Sequence, residues 1–240
     1  MSIKAILFDL DGTLLPMDQD KFVKTYFGLL AERMAPYGYD PKQLVECVWK
    51  GTGAMVQNDG SKTNEERFWE VFRAMYGEER LTEHKPIIDG FYLSEFNQAR
   101  SSCGFAPMAR AILNRVRDAG WMPVLATNPI FPARATENRI RWAGLAPEEF
   151  ELYTTYENSS FCKPNPKYYL EILEKLGLQP EECAMVGNDV EEDMIAATLG
   201  MKVFLLTDCL ISRKGTDVSV YPHGDFDDLE RFLIDLACGE

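Results

Sequence analysis

Five short apolar runs, separated by segments with helical periodicity, constrain the fold of this chain most strongly. The runs cover residues 5–8, 123–126, 152–155, 184–186 and 203–206. Short uninterrupted apolar runs are typical of parallel strands that are buried on both faces of a sheet. The intervening segments MARAILNRVRDAG and NPKYYLEILEKLG repeat apolar residues at helical spacing. Because strands alternate with helices, we predict an α/β fold with a doubly wound parallel sheet.

The interval between the first and second runs does not alternate in this way. It contains one helical pattern after another, including QDKFVKTYFGLLAERMA and NEERFWEVFRAMYG. Such an interval is far longer than a crossover between neighbouring strands needs. We therefore predict a helical cap domain formed by residues 17–98. Residues 1–16 and 99–240 would form the core domain, and residues 14–18 and 98–105 would connect the two.

Charge and composition exclude several classes of partner. The formal net charge of −13 repels nucleic acid and anionic membranes, so we expect neither as a partner. No apolar run approaches the roughly 20 residues of a membrane span, and the first residues lack the features of a signal peptide. Six scattered cysteines without metal-ligand spacing are typical of a reducing compartment, so we expect a cytoplasmic protein.

Polar residues follow several of the predicted strands. Asp9 and Asp11 end the first run, and alternation along an extended chain places both on one side. Two carboxylates so close raise each other's pKa and cost stability unless a cation or a reaction needs them. Other polar residues follow later runs, namely Thr127, Asn128, Lys163, Asn188, Asp189 and Asp193. Open α/β sheets bind ligands at the carboxyl ends of their strands, so we expect these side chains to meet there.

Four segments, DLDGTL, LATN, KPNP and VGNDVEED, resemble in order and spacing the four motifs of the haloacid dehalogenase-like superfamily. The resemblance covers most of the chain outside residues 17–98, and that helical interval is similar to the family's first type of cap. It implies a Rossmann-like core in which Asp9 attacks phosphorus to form an aspartyl phosphate. Asp11 would act as general acid and then general base. Related dehalogenases and phosphonatases lack an acid at the position of Asp11, which favours the phosphatase branch.

The resemblance also implies a magnesium site and a phosphate site. Mg²⁺ would be bound by Asp9, the backbone carbonyl of Asp11 and Asp189, with Asn188 and Asp193 supporting these ligands. The family usually has an acid directly after the glycine of the fourth motif, where this chain has Asn188. Whether Asn188 or Asp189 occupies the metal-ligand position therefore stays open at this point. Thr127, Asn128 and Lys163 would bind the phosphate oxygens, and Lys163 would also balance the charge of Asp9.

The segment WKGTGA lies where related caps carry a substrate-specificity loop. We interpret it as a glycine-rich turn with Lys50, Thr52 and Gly53 as substrate-binding residues, Lys50 meeting a second anionic group. The alternative is the C-terminus of a helix with a surface lysine. Four nearby aromatic residues fall at helical spacing and are predicted to be core rather than ligand contacts. They are Trp49, Phe68, Trp69 and Phe72.

These features together predict Mg²⁺-dependent hydrolysis of a small phosphate monoester, such as a sugar phosphate, a nucleotide or a similar metabolite. We expect a monomer, because the cap would shield the site without a partner. A sugar-phosphate phosphomutase and a regulatory protein without catalysis are the alternatives. A phosphorylation-switched signalling domain is disfavoured, because the third run continues into TTYENSS, which contains no aspartate.

Overall fold

A six-stranded, wholly parallel sheet lies at the centre of the protein in the computed structural model, which describes residues 2–239. Its strands are β1 (Ala5–Phe8), β2 (Met122–Leu125), β3 (Leu152–Tyr153), β4 (Cys183–Gly187), β5 (Lys202–Leu206) and β6 (His223–Gly224). They are ordered β3-β2-β1-β4-β5-β6. The strand order reverses beside β1, which is where doubly wound sheets open a crevice for ligands.

The predicted α/β fold is confirmed; the bounds of β2, β4 and β5 differ from the predicted runs by one residue, and two other strands differ more. β3 is two residues shorter than the run at 152–155, because it pairs only with Val124 and Leu125 of β2. β6 was missed, because this two-residue edge strand contains a histidine and a glycine and no apolar run marks it. The four residues of β1 are fully buried, as expected for a strand between two neighbours.

Alternate residues of β1 face two different cores. Ile6 and Phe8 belong to one cluster of buried side chains, whereas Ala5 and Leu7 belong to a second. Helices cover both faces of the sheet: α5 (Pro107–Asp118), α6 (Ala133–Trp142), α7 (Pro166–Leu176) and α8 (Phe226–Cys238). The chain therefore folds into three layers, with the carboxyl ends of the strands exposed at one edge.

Four helices precede α5 in the interval between β1 and β2. They are α1 (Gln19–Met34), α2 (Pro41–Val56), α3 (Asn64–Tyr76) and α4 (Glu78–Leu93). The segments that lead into and out of them lie side by side, because Met17 forms an antiparallel bridge with Cys103 and the Gly104 N–H donates to Pro16 O at 2.7 Å. The division into a core domain and a cap domain stays a prediction. No helix within residues 2–239 combines the length and apolar character needed to cross a bilayer.

Candidate active site

The loops that follow β1, β2 and β4 converge at one edge of the sheet. Asp9 directly follows β1, and its N–H donates to Val186 O of β4 at 2.9 Å, which continues the ladder between these strands. Asn188 directly follows β4 and lies against Gly12 of the first loop. Gly12 has a φ of +91°, and a Cβ there would lie 2.3 Å from Asn188 Nδ2. Only glycine therefore lets these two loops approach so closely.

Lys163 joins two of these loops through a buried pair of charge contacts. Its Nζ donates to Asp9 Oδ1 at 2.9 Å and to Asp193 Oδ1 at 2.6 Å. The side chains of Lys163 and Asp193 are each only 1% exposed. Burial alone lowers the pKa of Lys163, but Asp193 and Asp9 raise it well above its ordinary value. Lys163 is therefore an ammonium ion that neutralises and orients Asp9.

Asp11 lies in a different electrostatic environment. Its Oδ2 pairs with the guanidinium of Arg139, a side chain that is 1% exposed and lies 4.6 Å from the ring centroid of Phe131. Its Oδ1 is buried and has no hydrogen-bond partner within residues 2–239. Burial raises the pKa of Asp11 and the charge of Asp9 adds to this, while Arg139 and Lys163 oppose it. A carboxyl group with a raised pKa beside an oriented carboxylate is suited to general acid chemistry.

Asp189 and Asn188 make different contacts in the fourth loop. Asp189 Oδ1 accepts hydrogen bonds from the backbone N–H groups of Glu191 and Glu192, both at 3.0 Å, and its Oδ2 lies 2.6 Å from Arg213 Nη1. Asn188 Oδ1 accepts a hydrogen bond from Thr13 Oγ1 at 3.0 Å, and its Nδ2 donates to a backbone carbonyl at 2.7 Å. Asn188 thus uses both ends of its amide to join loops.

The acids at this edge fit a divalent cation by charge and by chemistry. Five carboxylates line one cavity, Asp9, Asp11, Asp189, Glu192 and Asp193, whereas two guanidiniums, Arg139 and Arg213, line the same wall. Within residues 2–239 no three metal-ligating side chains cluster closely enough to hold an ion by themselves. A site with two carboxylates, one backbone carbonyl and several waters agrees with that finding, because Mg²⁺ retains much of its water. The donor set therefore fits Mg²⁺.

Thr127 and Asn128 are held rigidly beside these acids. The backbone carbonyl of Thr127 accepts hydrogen bonds from Thr154 Oγ1 at 2.6 Å and from the Tyr168 hydroxyl at 2.8 Å. Asn128 Oδ1 accepts the N–H of Lys163 at 3.3 Å, and Asn128 Nδ2 donates to a glutamate at 3.1 Å. Thr127 and Asn128 line the same cavity as Asp9. The structure thus brings together the polar residues predicted at the strand ends.

The segment WKGTGA is helical, so the prediction of a turn there was wrong. α2 continues through it to Val56, and Lys50 lies on the surface, 57% exposed, where it pairs with Glu46 at 2.7 Å. Among the described residues Thr52 lines the cavity, but Lys50 and Gly53 do not. A Cβ on Gly51 would lie 2.5 Å from the ring of Phe68. The glycine there allows α2 and α3 to pack closely instead of forming a turn.

The four aromatic residues predicted as core all line the cavity. Trp69 and Phe72 are buried, but Trp49 is 53% exposed and therefore does not belong to the core. Helical spacing shows which residues share a face of a helix. It does not show whether the neighbouring helices fill the space in front of that face. Here the space is a cavity of about 230 Å³ that runs from the acids into the group formed by α1–α4.

Two cations of the site were not predicted. Arg139 lies on α6 in the segment ARATENRIRW, whose mixed charges are typical of a solvated helix. Arg213 lies in the long connection after β5, next to Lys214 and Gly215, and no helical or strand pattern surrounds it. Each residue acts through an ion pair with an acid of another loop. In the sequence, the only signal for these two arginines is the group of aspartates, whose negative charges require cations nearby.

Comparison with known proteins identifies the family. A sequence profile described as haloacid dehalogenase-like hydrolase matches residues 3–199, and the chain belongs to this family of hydrolases. It is 27% identical over 232 residues to a glyceraldehyde 3-phosphate phosphatase of Methanothermobacter thermautotrophicus, covering 91% of this chain and 95% of that protein. It is 24% identical over 205 residues to a phosphoglycolate phosphatase of Aquifex aeolicus, covering 82% of each.

Solved structures agree with the fold. The crystal structure of a 2-haloacid dehalogenase from Pseudomonas syringae superimposes with a TM-score of 0.64 at 18% identity. The match covers 97% of this chain and 98% of that one. The two proteins therefore share a fold over nearly their whole lengths.

Proposed function

We propose that this protein hydrolyses a small phosphate monoester in a Mg²⁺-dependent reaction through an aspartyl phosphate on Asp9. The observation that carries this proposal is the environment of the first loop. Lys163 donates to Asp9 Oδ1 at 2.9 Å and offsets its charge, while burial raises the pKa of neighbouring Asp11. One carboxyl group is thus prepared as a nucleophile and the other as an acid.

In the first step a carboxylate oxygen of Asp9 attacks phosphorus, and the bond from phosphorus to the ester oxygen breaks. The proton on Asp11 goes to that leaving oxygen, so the product leaves as a neutral alcohol. In the second step the ionised Asp11 takes a proton from water, and the water oxygen attacks phosphorus. The bond between phosphorus and the Asp9 oxygen breaks, so inorganic phosphate leaves, Asp9 is again a carboxylate and Asp11 is again protonated.

The surrounding residues bind and orient the phosphate. We assign Thr127, Asn128 and Lys163 to its oxygens, because all three are fixed beside Asp9. Mg²⁺, held by Asp9, the backbone carbonyl of Asp11 and Asp189, would offset the negative charge of the phosphoryl group. We favour Asp189 over Asn188 as the ligand, because Asp189 offers a charged oxygen whose half-exposed partner, Arg213, can be displaced, whereas the Asn188 amide joins neighbouring loops. Asp193 positions Lys163 and accepts the Asp189 N–H at 3.0 Å.

The helices α1–α4 are suited to act as a cap over this site. They lie between β1 and β2, and their side chains line the same cavity as Asp9. A cap over the site restricts it to small substrates. The two relatives are named for small phosphorylated molecules, which supports the same substrate size here.

Release of inorganic phosphate from an ester panel tests the proposal. We expect the wild type to release phosphate with Mg²⁺ and to stop when the metal is chelated. Asp9→Asn should lose at least about 1,000-fold in kcat, because the nucleophile is gone. Asp20→Asn is the matched control, since Asp20 is exposed on α1. Activity that survives chelation, or an Asp9→Asn enzyme within tenfold of the Asp20→Asn control, would reject the proposal.

A further inference from the structure

We propose that the preferred substrate carries an apolar group, about as large as a phenyl ring, on the phosphorylated oxygen. This inference rests on the proposed hydrolysis at Asp9 and names the class of ester involved. It follows from the part of the cavity that lies between α1–α4, which we call the inner pocket. Its apolar side chains include Phe22, Phe27, Leu44, Val48, Phe72 and Ile88.

Charge is confined to one end of the cavity. The charged residues that line it belong to the loops after the strands, to α6 and to the connection after β5. Among the described residues, α1–α4 contribute no charged side chain to the lining. A phosphate bound beside Asp9 and Lys163 would therefore direct the rest of its ester into an uncharged space.

The two guanidiniums at the charged end are already paired. Arg139 binds the carboxyl group of Asp11. Arg213 lies 2.6 Å from Asp189 Oδ2 and 4.0 Å from Glu191 Oε2, so it keeps an acidic partner when Mg²⁺ takes Asp189, and its half-exposed side chain stays in contact with water. Lys50, which could have met a second anion, lies outside the cavity and pairs with Glu46. A substrate with a second acidic group, such as a phosphorylated carboxylic acid, would bring an unpaired charge into this site.

The polar groups of the inner pocket leave few hydrogen bonds for a ligand, since among the described residues only the buried indole N–H of Trp69 has no partner there. The hydroxyls of Tyr26 and Tyr92 share a hydrogen bond of 2.9 Å, and Thr52 Oγ1 donates to Val48 O at 2.9 Å. A sugar placed here would exchange several hydrogen bonds with water for few with protein. An apolar group makes no such exchange, because its transfer out of water is itself favourable.

The volume sets the size of that group. An apolar protein cavity of roughly 150 Å³ stays dry and holds one benzene molecule. The whole cavity here has a volume of about 230 Å³, which must also contain the phosphate. One ring, or a chain of roughly five or six carbons, fills what remains.

Calorimetric titration of the Mg²⁺-loaded wild type with phosphonates, which cannot be hydrolysed, tests this inference directly. Benzylphosphonate offers the apolar ring, methylphosphonate lacks it, and phosphonoacetate replaces it with a carboxylate. We expect benzylphosphonate to bind at least tenfold more tightly than both others, since each buried methylene favours binding by roughly fourfold. Equal or tighter binding of phosphonoacetate, or no binding of benzylphosphonate, would overturn the inference.

A pair of valines on α2 supplies a matched control. Val48 lines the inner pocket, whereas Val56 is 43% exposed near the end of the same helix. Val48→Phe should weaken benzylphosphonate at least tenfold and leave methylphosphonate within twofold, while Val56→Phe should change neither. Unchanged affinity for methylphosphonate would show that Val48→Phe remains folded. Unchanged benzylphosphonate binding in Val48→Phe would count against the inner pocket as the site.

The same ligands separate this inference from the proposed function. Preferential binding of benzylphosphonate without hydrolysis of phenyl phosphate or any other ester would reject the function and retain the inner pocket as an apolar site. Rapid hydrolysis of phosphoglycolate with weak binding of benzylphosphonate would retain the function and reject the apolar substrate.

Discussion

Lys163 Nζ lies 2.9 Å from Asp9 Oδ1, although the two residues are 154 positions apart in the chain. The same ammonium binds Asp193 at 2.6 Å, so one buried cation holds two carboxylates from different loops. The lysine thus serves both stability and chemistry. It offsets the repulsion between carboxylates, and it orients Asp9 for attack on phosphorus.

Removal of the Lys163 ammonium should therefore destabilise the protein. Lys163→Met leaves Asp9 and Asp193 buried without a counter-charge, and breaking such a pair costs about 3–5 kcal/mol. We expect the free energy of unfolding, measured by denaturant titration, to fall by about 3 kcal/mol. Lys167→Met, in the exposed first turn of α7, is the control and should change it by less than about 0.5 kcal/mol. Equal stability of the two variants would show that Lys163 does not stabilise the acids.

Arg139 should set the upper pH limit of activity. The pKa of Asp11 is raised by burial and lowered by Arg139, and the first step requires protonated Asp11. Arg139→Gln removes a lowering influence, so the pKa of Asp11 rises and Asp11 keeps its proton to higher pH. We expect the basic limb of the kcat/KM profile to move to higher pH in this variant. Arg141→Gln, on the exposed side of α6, should leave that limb in place. A shift to lower pH would contradict the assignment of Asp11 as the acid.

Arg213 should compete with Mg²⁺ for Asp189. Its guanidinium lies 2.6 Å from Asp189 Oδ2, and its own side chain is 53% exposed. A half-exposed ion pair is worth up to about 1 kcal/mol, so Arg213→Gln should tighten Mg²⁺ binding by about two- to fivefold. Calorimetric titration with MgCl₂ measures this, with Lys214→Gln as control because the side chain of Lys214 is exposed and its contact with Glu191 is made by its backbone N–H. Unchanged or weaker binding in Arg213→Gln would argue against Asp189 as a ligand.

The two polar residues predicted in the cap should differ in effect. Lys50 is exposed and paired with Glu46, whereas Thr52 lines the cavity. Lys50→Ala should leave KM for the best ester of the panel within twofold, because the side chain does not face the substrate. Thr52→Leu should change that KM at least threefold, because it adds volume to the cavity. A larger change in KM for Lys50→Ala than for Thr52→Leu would indicate that Lys50 binds the substrate and that the cavity does not.

The sheet and the first-loop acids could be predicted because both leave a local pattern. A buried parallel strand such as β1 is a continuous apolar run, and Asp9 and Asp11 follow it directly. The ion pairs leave no such pattern. Arg139 lies 128 positions from Asp11, and Arg213 lies 24 positions from Asp189, so only the tertiary fold brings each pair together.

The inner pocket could not be predicted for a related reason. The positions of Trp49, Phe68 and Phe72 indicated helical faces, and these side chains lie on α2 and α3 as that periodicity requires. A cavity, however, depends on how far four helices stand apart. Local patterns carry no information about that distance, which is set by packing between helices.

Chemical trapping of the phosphorylated residue tests whether Asp9 carries the phosphoryl group. The wild-type enzyme is mixed with Mg²⁺ and its best ester, quenched in acid and reduced with borohydride, which converts an acyl phosphate into an alcohol. Peptide mass spectrometry then locates the reduced residue. Our account predicts homoserine at position 9 in the wild type and no reduced residue in Asp9→Asn. Homoserine at position 11, 189 or 193, or steady phosphate release with no reduced residue at all, would contradict it.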